Sequence, residues 1–214
     1  MLNLKNLNIH RGSRIVFSRL NAEIKTSTLT LIKGKNASGK STLLRTIAGL
    51  TPIEGGEINQ NGVNIFHAKE QWVRKLIFID NKNGLSDELT VKENLLAWVK
   101  IKGWDTNEKN LILALESVGM QKYMNFYISQ CSDGLKKRAA LARLYFSFFN
   151  EVDFWLLDEP TNALDHSSYL LLQNLLSKFI KMKGSILIAS HDKESLIKNY
   201  ETFDIDKLRN TNTI

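Results

Sequence analysis

Gly34-Lys35-Asn36-Ala37-Ser38-Gly39-Lys40-Ser41 fits the spacing G-x-x-x-x-G-K-[ST] without a gap. The compact run Thr28-Leu29-Thr30-Leu31-Ile32 precedes it and reads as a buried strand. Leu43, Leu44, Ile47, Ala48 and Leu50 follow it at helical spacing. A strand, a glycine-bearing loop and a helix in that order make a phosphate-binding turn. The glycines let the backbone curl until its N–H groups point inward at an anion. The helix beginning near Lys40 adds the positive end of its dipole. Lys40 is expected to reach the β- and γ-phosphates of a nucleotide, and the Ser41 hydroxyl to bind Mg²⁺. The cradle is expected to run from Gly34 through Thr42.

On the N-terminal side, Leu2, Leu4, Leu7 and Ile9 roughly alternate and Gly12-Ser13 offers a turn. Ile15-Val16-Phe17 and Leu20-Ala22-Ile24 continue in short apolar steps. Beyond the first helix, Gly55-Gly56 is expected to close the unit. Glu57-Ile58 and Val63-Ile65 suggest a hairpin across Asn61-Gly62. From about residue 90 to 150 the chain reads as helical. Thr90 with Glu93 is a capping-box pattern. Leu111, Ala114, Leu115 and Val118 share a face that Gly119 ends, and another helix is expected after Gly134. A second buried strand is expected over 152–157, a helix over about 167–182, and a strand over 185–190. Strand–helix alternation at both ends, with a helical stretch between, predicts an α/β protein with a mostly parallel core.

The composition agrees with a globular chain. Its 214 residues are 43% hydrophobic and 24% charged, which excludes disordered and fibrous classes. The single cysteine, Cys131, leaves no intrachain disulfide and no Cys-based zinc cluster. No apolar run approaches about 18 residues, so no membrane-crossing helix is expected. Lys5, His10 and Arg11 interrupt the start before a run of signal-peptide length. Two prolines and no Pro/Ser-rich tether point to one domain. The net charge of +7 admits three kinds of partner: nucleic acid, an anionic membrane surface or a small anionic ligand. Residues 33–45 carry a net +4 and residues 131–143 a net +3, so the excess sits in two windows and the rest balances.

The phosphate loop alone does not say what happens to a nucleotide. Phe154-Trp155-Leu156-Leu157-Asp158-Glu159 supplies the rest, because an apolar strand ending in two carboxylates delivers both to the edge where ligands bind. Asp158 is expected to hold Mg²⁺ through water. Glu159 is expected to polarise an attacking water as general base.

Leu157-Asp158-Glu159-Pro160-Thr161-Asn162-Ala163-Leu164-Asp165, downstream of Cys131-Ser132-Asp133-Gly134-Leu135, resembles the nucleotide-binding domain of ATP-binding cassette (ABC) proteins. That family's signature reads Leu-Ser-Gly-Gly-Gln; this chain keeps Ser132 and Gly134 and departs at Cys131, Asp133 and Leu135. Lys136 to Arg143 is similar to the helix that follows the signature. The resemblance spans essentially residues 1–200 in the family's order. It implies a P-loop NTPase core with an N-terminal antiparallel β subdomain and an inserted helical subdomain. The whole of 1–214 would be one nucleotide-binding domain, with the core and antiparallel β at about 1–80 and 150–214 and the helical insert at about 82–149.

The same resemblance implies ATP and Mg²⁺, and a head-to-tail homodimer enclosing two nucleotides. Ser132 and the N–H of Gly134 would then bind the γ-phosphate of the partner's ATP, with Asp165 on the seam. A side chain at position 134 would crowd that phosphate. His191 sits where the family has a γ-phosphate-contacting histidine. The family's glutamine before the helical insert becomes Asn81, an amide of shorter reach, as a metal or water ligand. In place of an aromatic on adenine, residues 10–12 offer His10 or Arg11.

Asp80-Asn81-Lys82-Asn83-Gly84-Leu85 and the stretch on to Leu95 resemble the ATP-binding subunits of bacterial haem exporters used in cytochrome c maturation. This implies integral membrane permease subunits as partners and a peripheral place on the cytoplasmic face of the bacterial inner membrane. Trp72, Val73, Leu85, Leu89 and Trp98 fall in the region that would form a groove for a permease helix, or in ordinary core. None of His10, His67, His166 and His191 is assigned to haem. The alternatives are a soluble assembly ATPase of the iron–sulfur type and a nucleic-acid-associated ATPase. No nucleic acid is expected, because the aromatic–basic alternation of single-strand binders is missing.

Overall fold

A computed structural model of the chain describes residues 1–190 and 199–210. Leu2–Arg11 (β1) and Arg14–Ile24 (β2) form the expected hairpin around Gly12-Ser13. Leu2, Leu4, Leu7 and Ile9 are buried. Leu29–Lys33 (β3) runs into the glycine loop, and Lys40–Ile47 (α1) leaves it. Gly55–Gln60 (β4) pairs with β1, and Val63–Asn64 (β5) pairs with β4 across Asn61-Gly62. The result is an antiparallel sheet in the order β2-β1-β4-β5.

Gly55-Gly56 does not close the helical unit but opens β4. Gly56 has φ +84, and a Cβ there would collide with the backbone of Lys5 and Asn6 in β1. The glycine pair therefore marks a close strand crossing, a use of glycine that a sequence reading confuses with a turn.

Lys69–Arg74 (α2) and Leu76–Ile79 (β6) follow, two short elements that the periodicity did not reveal. Val91–Ile101 (α3) starts at the expected capping box: Glu93 N–H donates to Thr90 Oγ1 (3.2 Å), and Thr90 N–H donates to Glu93 Oε2 (2.8 Å). Glu108–Glu116 (α4) precedes Asp133–Leu141 (α5), which begins one residue before Gly134 and continues as tighter 3₁₀ turns over Ala142–Phe148. Phe154–Asp158 (β7), His166–Lys181 (α6), Ser185–Ala189 (β8), Glu201–Asp204 (β9) and Ile205–Asn210 (α7) complete the described chain.

The second sheet has the order β6-β7-β8-β3-β9 and every neighbouring pair in it is parallel. Buried side chains alternate across it, as the pleat requires. Phe154 and Leu156 of β7 face a core shared with Leu43, Leu44 and Ile47 of α1 and with β1 and β2. Trp155 and Leu157 face the core beneath α3, α4, α5 and α6. Trp155 stacks on Phe179 with ring centroids 4.0 Å apart and planes 3° from parallel. Among the described residues, no helix is long and apolar enough to cross a membrane.

Because β3, β7 and β8 are parallel neighbours, their C-terminal ends share one edge of the sheet. That edge collects Gly34, Asp158, Glu159 and Ser190. Phe179→Ala should remove the stacked partner of Trp155 and cost about 3–5 kcal/mol of unfolding free energy. Urea titration followed by tryptophan fluorescence checks it, and an unshifted midpoint would contradict the packing.

Candidate functional site

The loop after β3 is folded around its own lysine. Gly39, the residue before α1, has φ +105, and a Cβ there would stand 2.6 Å from Val16 Cγ1. Only glycine meets both demands. Lys40 is 6% exposed. Its Nζ donates to Gly34 O (2.8 Å) and Lys35 O (3.2 Å). Burial lowers the Lys40 pKa, and the carboxylates of Glu159, Asp206 and Asp158 partly offset that. Ser41 Oγ donates to Asp158 Oδ1 (3.0 Å), joining the start of α1 to the end of β7. Asp158 is buried, and burial raises its pKa against the opposing Ser41 bond.

Glu159 leaves the strand in the left-handed region, φ +48, where a non-glycine residue is strained by on the order of 1–3 kcal/mol. Its N–H donates to Ala189 O (2.8 Å), and Ser190 Oγ donates to its Oε2 (3.3 Å). The bend turns the carboxylate out of the strand direction and into a cleft of about 320 Å³. Ala37, Ser38, Gly39, Lys40, Ser41, Thr42, Asn81, Glu159 and Asn162 line that cleft. Gly34, Lys35 and Asn36 of the expected cradle do not line it, although the carbonyls of the first two hold Lys40. An adjoining cleft shares Ser41, Thr42 and Asn81 and adds Asp80 and Asp158. Asp80 is ion-paired with Arg45.

The donor set suits a small hard cation. The Ser41 hydroxyl and the Asp158 carboxylate are both oxygen donors, with the Asn81 amide lining the same clefts. Among the described residues the buried Ser38 Oγ in the loop has no hydrogen-bond partner, as expected of a group that a ligand would satisfy.

The opposite wall of the cleft was only half legible. His10 is paired with Glu54, with Nδ1 2.8 Å from Oε1, and lines the adjoining cleft. Arg11 and Arg14 line the cleft with Val16, and they face each other across the β1–β2 hairpin. Like charges directly opposite each other destabilise a strand pair unless an anion lies near both. Arg14 was missed because it reads as an ordinary charge after a turn. Its pairing with Arg11, three residues earlier around Gly12-Ser13, was the available signal.

The residues of the signature lie outside the cleft. Ser132 caps α5, its Oγ accepting Leu135 N–H at 3.4 Å. A Cβ on Gly134 would stand 2.6 Å from Ala163 O, so glycine is required there by contact within the chain itself. Crowding of a phosphate is not needed to explain it. Asp165 caps α6; Ser168 and Ser167 donate to it and hold its pKa down at about 2.

Lys137, on α5, is 3% exposed, and among the described residues its Nζ has no hydrogen-bond partner. Burial lowers its pKa, opposed by Asp158, Asp80 and Glu159. Arg143 donates to Asn83 O (2.9 Å) and Gly84 O (2.6 Å), and burial brings its pKa down to about 10. Trp72 is core, its Nε1 donating to Ile47 O at 2.6 Å. His191 lies outside the described residues.

Comparison with known proteins gives concordant results. The family model described as ABC transporter matches residues 17–162. A "Cytochrome c biogenesis ATP-binding export protein CcmA" of Vibrio vulnificus (strain YJ016) is 34% identical over 191 residues, 89% of this chain and 92% of that protein. The protein of the same description from Wolbachia pipientis wMel is 33% identical and aligns over 96% of each chain. Among solved structures, a dimeric bacterial ABC transporter cassette, MJ0796, superposes with a TM-score of 0.79 at 26% identity, covering 96% of this chain and 95% of that one. A dimeric post-hydrolysis state of the same cassette, bound to ADP and Pi, gives a TM-score of 0.78 at 25% identity, covering 90% and 88%.

Gly134→Ala should destabilise the isolated chain by about 1–3 kcal/mol, because the Ala163 carbonyl must move. Urea denaturation without nucleotide measures it; a wild-type midpoint would show that the contact carries no energy.

Proposed function

The chain belongs to the ABC transporter family and is an ATP-binding, ATP-hydrolysing subunit, and from that premise we propose that it powers a haem-export permease in cytochrome c biogenesis. The joining of Ser41 to Asp158 beside Glu159 at the floor of the cleft supports the ATPase half of this reading most directly, and the export half rests on the relatives. Phosphate binding and water activation thus meet in one place. The relatives that match nine-tenths of this chain are export proteins, which favours this reading over a soluble assembly ATPase or a nucleic-acid-associated one.

In the proposed mechanism the N–H groups of Ala37 through Thr42 take the phosphate oxygens. Lys40 gives part of its donor capacity to the β- and γ-phosphates while keeping a loop carbonyl. Arg11, one of the two residues expected in place of an aromatic, and Arg14 flank the nucleotide on the hairpin side. Ser41, Asp158 through water, and Asn81 would hold Mg²⁺, which when bound neutralises charge on the phosphate oxygens. Glu159 orients a water and accepts its proton as the water oxygen attacks the γ-phosphorus and ADP leaves. The left-handed turn at Glu159 and the Ser190 bond fix the direction of that carboxylate before substrate arrives. His191 completes the γ-phosphate contacts in this reading.

The second half of each site comes from a head-to-tail partner copy. Ser132 Oγ accepts an N–H within α5, which leaves its own hydroxyl hydrogen free to donate to the partner's nucleotide. The one-domain organisation, with core at about 1–80 and 150–214 and helical insert at about 82–149, belongs to the same proposal. A permease helix would dock near Val73 and Ile101, two exposed apolar residues flanked by Lys69 and Arg74, and hold the subunit at the cytoplasmic face of the membrane.

Glu159→Gln should slow steady-state hydrolysis by about 10²–10⁴-fold while ATP binding persists. It should also accumulate an ATP-bound dimer on gel filtration. Normal turnover would remove Glu159 from the role of base. A mixture of Lys40→Ala and Ser132→Arg chains should recover activity that neither has alone, because their heterodimer keeps one intact composite site. No recovery in a verified heterodimer would rule out head-to-tail pairing.

A further inference from the structure

One peptide group of the phosphate loop is held from both sides by opposite charges. The C=O of Gly34 and the N–H of Lys35 belong to the same planar trans unit and point in opposite directions. Lys40 Nζ donates to Gly34 O at 2.8 Å. On the other side, Lys35 N–H donates to Asp206 Oδ2 at 2.9 Å. Asp206 Oδ1 also stands 3.6 Å from where a Gly34 Cβ would be, so the carboxylate lies flat against the first residue of the loop. The sequence runs carboxylate, N–H, C=O, ammonium. The peptide dipole is aligned with both charges, and hydrogen bonds in such a chain strengthen one another.

Several features bring Asp206 to that position across 171 residues. β9 lies beside β3 in parallel register, with Asp204 opposite Lys33. Ile205 is fully buried and anchors the start of α7. Asp204 Oδ1 accepts the N–H of Asp206 (3.1 Å) and of Lys207 (3.2 Å), which fixes the first turn of α7. Asp206 also lies near enough to Lys40 to favour its charged form against burial.

We propose that Asp206 is a positioning residue for nucleotide binding: by accepting the Lys35 N–H it polarises the Gly34 carbonyl and holds Lys40 where its ammonium can reach phosphate. The inference rests on the nucleotide reading above and adds to it a segment beyond residue 200, to which neither the motifs nor the family resemblance assigned a role. Asp206 is not among the residues that line the cleft. It acts through one peptide unit and one lysine.

The test measures the fluorescent analogue mant-ATP by anisotropy with Mg²⁺, together with ATP turnover, on the whole chain carrying Asp206→Ala or Asp206→Asn. Asp206→Ala should weaken mant-ATP binding and raise KM by about tenfold. At saturating ATP, kcat should stay within about twofold of wild type, because Glu159 and the attacking water are not disturbed. Asp206→Asn keeps an acceptor oxygen of the same shape without the charge, so its affinity should fall between the two. Unchanged affinity in Asp206→Ala would overturn the proposal. So would equal losses in both variants accompanied by a lowered melting temperature, since Asp206 would then only stabilise the fold. If the unaltered chain bound no mant-ATP, the nucleotide reading would fall, and this inference with it.

Discussion

Parallel register is the constraint on which everything else depends. β3, β7 and β8 lie side by side with one direction, so a glycine loop, two carboxylates and a serine from three distant segments emerge at one edge. The Ser41–Asp158 bond closes the angle between α1 and β7 across that edge. The alternation of β7 side chains between two cores explains why the register cannot slip. Moving it by one residue would exchange Phe154 and Leu156 with Trp155 and Leu157 between two different cores.

Much of this was legible in the sequence because the informative segments are those with the strongest local patterns. The phosphate loop carries fixed glycine spacing, β7 and β8 are continuous apolar runs buried on both faces, and Thr90 with Glu93 caps α3 by purely local bonds. What stayed hidden depends on distant partners. Gly55-Gly56 is explained only by the approach of β1, and Gly134 only by the carbonyl of Ala163. α2 and β6 are too short for periodicity to register. Arg14 and Asp206 acquire meaning from what they face, and nothing in their immediate neighbours signals it.

The distribution of charge changes in the same way. In the sequence the excess positive charge sits in two windows. In the folded chain several of those cations are committed elsewhere: Arg45 to Asp80, Lys136 to Asp87, and Arg143 to the carbonyls of Asn83 and Gly84. Lys137 is buried, and the carboxylates of Asp158, Asp80 and Glu159 in its own chain favour its charged form against that burial. Arg11 and Arg14, from outside both windows, join Lys40 at the cleft. The net charge admitted a small anionic ligand as one of three kinds of partner, and several of the residues that produce it have other uses.

The position of β3 in the sheet also governs when the site can exist. Both of its neighbours are made late: Leu29 pairs with Ile186 and Thr30 with Glu201. During synthesis at about 5–20 residues per second, the phosphate loop precedes those strands by on the order of ten to thirty seconds. For most of that interval the carboxylates of Asp158, Glu159 and Asp206, which favour the charged form of Lys40, have yet to be made. Long-range parallel pairing is also intrinsically slow to form. Competence to bind nucleotide is therefore acquired near the end of folding. A ligand that stabilises only the completed site acts on finished chains and leaves partial ones unaffected.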